Sequence, residues 1–494
     1  MNKFIAFACL SLLPGTYAAA EGFQINAQST KQAGMGHVGT AMKLGAESMH
    51  FNPAGLAFMD KTVDLSVGLS GVFSHLKYQK DSYSIDSDNK PGTPLYLYAG
   101  FKIYDNLAAG IAFNTPYGSS VTWGENWKGA HLVQEIALKA YNIQPTISWR
   151  ITDKLSIGAG LMMDFGNIQL SRALIGPGEL TYMANYMQNA LSEKLPAQMV
   201  EAMKPMLAPL VKEFSVYDDA SAASALLEGD AGVRFRFNIG AMYDINDKFT
   251  VGVSYRSKIT AKVKEGEVDL KYANEEHFTS MLEQVNKLLQ TVNSMTGGNA
   301  NLPSSIGIPP LNTGTFSAEL PLASNLNFGV TYKPNRNWTV SGEVQWVGWG
   351  AYDALDVHFS PSSLSGYDIH ADKKYHNSCI YRLGTQYAAT HRLDVRLGSY
   401  FDMSPVDDDY LNPETPSMNK WGITAGCSFR PLEHLSVDFS FSYVTGFGRD
   451  GSYTDEYMLM KTIQNLPEQY KQRTFGGHYS AYALMPAIGI SYSF

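Results

Sequence analysis

From Val63 onward the chain alternates. Val63, Leu65, Val67 and Leu69 fall on one side, and Asp64, Ser66, Gly68 and Ser70 on the other. A period of two predicts a strand with one apolar face. The pattern returns at 95–103, 107–113, 131–151, 155–165, 232–243 and 249–263. It continues at 313–333, 337–358, 375–389, 393–402, 420–430, 435–445 and 481–494. These stretches predict an all-β protein, a single transmembrane antiparallel barrel of about fourteen strands. Turn chemistry supports closure. Short turns are expected at Asp105-Asn106, Thr152-Asp153, Asn246-Asp247, Pro334 to Asn337, Thr390-His391 and Pro431 to His434, while every other connection is long. Short turns on one rim and long loops on the other match the periplasmic and extracellular ends of outer-membrane barrels.

Alternation also assigns faces. With Phe235, Phe237 and Ile239 toward lipid, Arg234 and Arg236 point inward; the same parity turns Arg256, Lys258, Arg396 and Asp164 inward. Arg or Lys on the lipid face near mid-bilayer costs about 2–4 kcal/mol, which makes this parity energetically constrained. In the last strand Ile488, Ile490, Tyr492 and Phe494 share one face. An aromatic-ended final strand looks like the signal read by the barrel-assembly machinery, an expected partner. Cys379 and Cys427 fall on outward faces of non-neighbouring strands, so no disulfide is expected between them.

The first twenty residues change the picture by placing the chain outside the cytoplasm. Lys3, the apolar run Phe4 to Leu13 and Ala18-Ala19-Ala20 read as a signal peptide over 1–20. No later run of about 18 apolar residues predicts a membrane helix. The net charge of -8 is dispersed along the chain and argues against a nucleic-acid partner. Between Glu21 and the first strand lies a Gly- and Ala-rich segment, 21–61, holding Gly34, Gly36, Gly39, Gly45 and Gly55. An empty barrel of this size would leak, and this segment suits a plug, or hatch, inside the wall 62–494.

Two long loops, about 172–230 and 271–312, carry helical patterns. Phe278, Met281, Leu282, Val285, Leu288, Leu289 and Val292 form one stripe. Leu180, Met183, Met187 and Leu191 repeat in the other loop, as do Met199, Met203, Leu207, Leu210 and Phe214. The two loops either pack together as a lid or leave an apolar groove, for which methionine is well suited.

Gly22-Phe23-Gln24, Gly34-x-Gly36 and Asn52-Pro53-Ala54 resemble the FadL/TodX family of outer-membrane transporters for hydrophobic compounds. Pro116-x-Gly118 with Trp123, Leu320-Pro321 before Gly329, Trp338, Trp346 and Trp349 extend the likeness. So does Ser404-Pro405-Val406 followed by Pro413 and Pro416. The resemblance implies a fourteen-stranded barrel with an N-terminal hatch. It further implies capture of a hydrophobic molecule at an extracellular groove, here Met183, Met187, Leu191, Phe278, Met281, Leu282, Val285 and Leu289. Release is then sideways, where a kinked third strand (Pro116, Tyr117, Gly118) meets the hatch turn Asn52, Pro53 and Ala54. Gly22 and Phe23 would belong to the same gate.

Long-chain fatty acids are the expected cargo, with aromatic hydrocarbons or other lipids as the alternative. A carboxylate head would seek an inward cation among Arg234, Arg236, Arg256, Lys258 and Arg396. Other expected surroundings are outer-membrane lipid and lipopolysaccharide, with the chain a monomer and no cofactor. A general porin or a lipid-active enzyme are the rivals from other classes. The chain shows no G-x-S-x-G or H-E-x-x-H and no paired metal-ligating histidines, and the candidate plug argues against a porin.

Overall fold

The computed structural model describes residues 23–194, 196–296, 305, 307–456 and 471–494; Gly22 and the expected signal peptide lie outside them. The alternating segments form one closed antiparallel barrel of fourteen wall strands. In chain order the first seven are Val63–Ser70 continued by Phe73–Lys80; Leu95–Tyr104; Leu107–Thr122; Glu135–Arg150; Leu155–Ile175; Ala223–Asp244; and Phe249–Arg256 continued by Ile259–Tyr272. The others are Thr315–Leu322 with Asn325–Tyr332; Trp338–Val347 with Ala354–Ser360; Ser378–Thr390; Leu393–Asp402; Lys420–Leu432; Leu435–Gly446 with Arg449–Glu456; and Gln472–Ser493. Closure comes from the first strand pairing with the last, Asp64 opposite Ser493 and Ser70 opposite Ala487. Several strands run well past the alternating stretches: the fifth reaches Ile175 and the sixth starts at Ala223.

The short turns are held by their own side chains. Thr152, Asn246, Asn335 and Thr390 each accept backbone N–H bonds from residues two and three positions on. These local bonds satisfy the polar backbone where the chain reverses. The outward face carries exposed aliphatics and aromatics such as Leu97, Ile147, Phe235 and Leu397. Cys379 and Cys427 are free thiols on the tenth and twelfth strands, with the eleventh between them.

The N-terminal segment is folded against the inward wall. Two short helices, Thr30–Ala33 and Ser48–Phe51, are joined by turns, and most residues from Phe23 to Ala57 are buried. Polar wall residues tie it down. Glu343 accepts from the N–H groups of Gly39 (3.0 Å) and Thr40 (2.8 Å), and Glu47 accepts from Ser29 Oγ (2.5 Å) and Ser66 Oγ (2.6 Å). Gly36 takes a φ of +68°, and a Cβ there would lie 2.7 Å from the Leu383 carbonyl oxygen, so that contact requires glycine.

Candidate functional site

The inside of the barrel changes character partway up. Beside the N-terminal segment the inward residues of the sixth to ninth strands are polar: Asn238, Ser254, Arg256, Asn327, Glu343 and Gln345 are buried there. The seventh, eighth and ninth strands are then each interrupted, at 257–258, 323–324 and 348–353. Beyond the interruptions the inward set becomes apolar, with Ile259, Val263, Phe316, Leu320, Leu322, Leu355, Val357 and Phe359 all buried. Leu138 and Ala140 of the fourth strand complete the wall of a narrow cavity of about 40 Å³ among them.

Its polar neighbours are few. Arg236 donates to Asp164 through Nε (2.6 Å) and Nη2 (3.0 Å), and through Nη1 to the Tyr117 hydroxyl (3.0 Å). Tyr117 in turn donates to the Ala323 carbonyl (3.3 Å), at the interruption of the eighth strand. This set separates the apolar chamber from the polar interior beneath.

Tyr117 stands on the kink in the third strand. Pairing to the fourth strand shifts between Asn114 and Tyr117, and pairing to the second ends at Asn114. Every residue from Asn114 to Val121 is buried, so the strand has left the lipid face. Pro116 lacks the donor a ladder needs, which accounts for the break. The freed edge is taken by the N-terminus: Ile25 N–H donates to the Pro116 carbonyl (3.0 Å) and Gly118 N–H to the Phe23 carbonyl (2.8 Å). The Phe23 ring packs 6.1 Å from that of Tyr352.

This corrects the expectation for Asn52-Pro53-Ala54. Its side-chain and carbonyl bonds run elsewhere: Asn52 Nδ2 donates to the carbonyls of Thr40 (2.7 Å) and Ala241 (3.0 Å), and Ser148 Oγ to that of Ala54 (3.1 Å). The turn therefore sits at the short-turn end of the fourth to sixth strands. A Cβ on Gly158 or Gly240 would collide with it, at 2.4 Å and 2.0 Å. Phe23 to Ile25, not this turn, meets Pro116 to Gly118.

The inward cations separate likewise. Arg236 is committed to Asp164. Arg396 bonds Gln386 (2.7 Å) and Ser428 (2.6 Å). Arg256 donates to the His50 carbonyl (2.7 Å), leaving its Nε buried without a partner among the described residues. Arg234 borders the chamber, and its buried Nε likewise has no partner there. Lys258 is a second correction: it is exposed, because the strand break at 257–258 reverses the parity that pointed it inward.

At the long-loop rim, helices Glu179–Lys194, Ala197–Phe214 and Glu275–Thr296 gather into one apolar cluster. Met183, Phe278, Met281, Val285 and Leu289 are buried in it, and Leu282 packs partly buried against it. The stripes thus close on each other as a cap. The side chains of Met187 and Leu191 lie outside the described residues. The upper chamber has one signal in the sequence, the apolar parity of Ile259, Ala261 and Val263 after Ser257-Lys258.

The fold is a membrane-spanning barrel with a filled, partly apolar interior, and the family to which it belongs transports hydrophobic compounds across the outer membrane. Residues 11–494 match the family described as outer membrane protein transport protein (OMPP1/FadL/TodX), and the chain belongs to it. It is 22% identical to the long-chain fatty acid transport protein of Escherichia coli K12, over 89% of this chain and 91% of that one. Outer membrane protein P1 of Haemophilus influenzae is also 22% identical, across the full length of both. Among solved structures, a Pseudomonas aeruginosa FadL homologue has a TM-score of 0.71 at 18% identity, covering 96% of this chain and all of that one. The Pseudomonas putida toluene transporter TodX has a TM-score of 0.62 at 14% identity, covering 96% and 100%. The chain is accordingly a protein of the Gram-negative outer membrane.

Proposed function

We propose that the cargo is a long-chain carboxylate, taken through the helical cap into the upper chamber and released sideways at the third-strand kink. The observation that carries the reading is the chamber itself, an apolar slot bordered by Arg234, whose buried Nε has no partner among the described residues. Each buried methylene contributes about 0.8 kcal/mol; the slot of about 40 Å³ takes only the few nearest the head, and the rest of a long chain gains burial as the cap parts, while an arginine selects an anionic head over a plain hydrocarbon. Residues 23–61 act as the hatch. Phe23 to Ile25 cover the free edge of the third strand; their withdrawal unseals it. Capture begins when the stripe of Glu275–Thr296 parts from its partner loop.

The test is binding of a fluorescent eighteen-carbon polyene carboxylate to detergent-purified protein, with toluene as competitor. Tight binding that toluene displaces only at great excess is expected. Leu320→Asp, which places a charge in the chamber, should weaken binding at least about tenfold. Absence of binding by the unaltered protein, or displacement by equimolar toluene, overturns the fatty-acid reading.

A further inference from the structure

The sixth and seventh wall strands part company over a defined stretch. Below it they pair from Asp244 opposite Thr250 up to Asn238 opposite Arg256. Two bonds between Phe237 and Ser257 close the lower margin. Above it, pairing resumes with Ala231 opposite Val263. Between these limits Gly232–Arg236 and Lys258–Lys262 do not pair with each other across the gap. Neither strand has left the wall. The sixth stays paired to the fifth, Asp164 opposite Arg234, and the seventh to the eighth, Ala261 opposite Leu320.

Unpaired backbone facing hydrocarbon is strongly disfavoured, because no water is present to satisfy it. A window here therefore calls for an occupant or a function. Its position supplies one. Arg234 is opposite Asp164, whose neighbour Phe165 stacks its ring on Tyr141 (5.6 Å), which in turn stacks on Phe113 (6.0 Å). Such an aromatic row marks the interface between headgroups and acyl chains. Outside the window Val233 and Phe235 are 54% and 64% exposed, and a Cβ on Gly232 would meet nothing within 4 Å. Inside it lies the apolar chamber, and both margins contribute to the lining: Ala231, Gly232 and Arg234 from one strand, Ile259, Ala261 and Val263 from the other. Arg234, beside the chamber, has its Nε buried and unpartnered among the described residues.

We propose that this window is a second lateral port, separate from the third-strand kink. In it a single-chain carboxylate amphiphile lies with its head on Arg234 and the nearest part of its chain in the chamber, the remainder passing through the window into lipid. The port opens to the outer-leaflet side of the bilayer. Its margins do not simply zip: the flanking pairs span equal lengths, 231 to 238 and 256 to 263, but Val233 and Phe235 face lipid where Ala261 and Ile259, opposite them in that register, face the chamber. The inference rests on the fatty-acid reading for its ligand but not for its route.

Two variants test it, each first checked for a folded barrel by its heat-dependent gel mobility. Arg234→Gln should weaken binding of the fluorescent eighteen-carbon carboxylate about tenfold while leaving binding of its methyl ester unchanged, and Arg234→Lys should restore most of the loss. Equal effects on acid and ester, or no effect on either, overturn the assignment of Arg234. The second variant is Gly232→Trp, which sets a bulky side chain in the window where a Cβ meets nothing within 4 Å. It should slow transfer of the carboxylate between protein and surrounding vesicle lipid severalfold. If the variant and the unaltered protein transfer at one rate, the port is excluded. If the unaltered protein binds neither acid nor ester, the proposed function fails and the port's ligand fails with it. Binding by the unaltered protein with indifferent variants sinks the port alone.

Discussion

At the scale of single residues, the decisive question is which inward charges already have partners. Parity brought Arg234, Arg236, Arg256, Lys258 and Arg396 forward as equals, and packing made them unequal. Arg236 is fully engaged by Asp164 and Tyr117. Removing one member of a buried pair strands the other, at a cost of about 3–5 kcal/mol, whereas replacing both by apolar residues is close to neutral. Asp164→Ala should therefore lower stability by that amount, and Asp164→Leu with Arg236→Met should recover most of it. Urea unfolding of vesicle-inserted protein, followed by tryptophan fluorescence, measures both. Equal losses in the single and double variants would show that the ion pair is not what matters there. Lys258 shows the limit of parity arguments, which hold only while a strand is unbroken. Nothing at the residue level marks Ser257-Lys258 as a break with certainty, and every assignment beyond it depends on that one irregularity.

At the scale of elements, the long-loop rim is a packed cap with buried titratable groups. His131 lies between the third and fourth strands, buried, with the Phe475 ring 5.6 Å away. Burial, and then the positive charges of Arg473 and Arg172, hold its pKa well below the ordinary 6.5. The folded state thus favours the neutral ring. That contribution is complete above about 6.5 and is lost as pH falls from there toward the depressed folded value. Glu179, raised by burial although Arg473 opposes the shift, has the reverse sign: its contribution is present in acid and lost as pH rises through the raised value. Acidification from pH 7.5 to 5 should accordingly speed protease nicking of the loops severalfold, and His131→Gln should flatten that profile. A profile unchanged in the variant would assign the acid response to other groups. The third strand belongs to the same scale. Pro116 and Gly118 are visible in the sequence as weak points, but the identity of the segment that covers the broken edge is not. Asn52-Pro53-Ala54 has the look of a conspicuous turn, yet its hydrogen bonds fix it beneath the fourth to sixth strands.

For the molecule as a whole, the consequence of a filled lumen is selective permeability. The interior seals by polar attachment low down, through Glu343 and Glu47, and by apolar packing above. Vesicles carrying the intact protein should swell slowly in sugar solutions, and deletion of 23–61 should make swelling fast while the barrel still migrates as a folded species. Fast swelling with the intact protein would contradict a sealed lumen. The sequence by itself determined the wall: an even set of alternating strands, short turns at one rim and an outward apolar face. Each of these follows from the two-residue period and from local turn chemistry, and local rules survive translation into three dimensions. It could also show that two loop helices carry apolar stripes, since a helix period is equally local. Only the tertiary structure decided that those stripes close on each other, that Phe23 to Ile25 meet the kink, and that the sixth and seventh strands part. Those outcomes depend on which surfaces meet across hundreds of residues, and on breaks that reverse facing without altering composition. No periodicity encodes a pairing that fails to form.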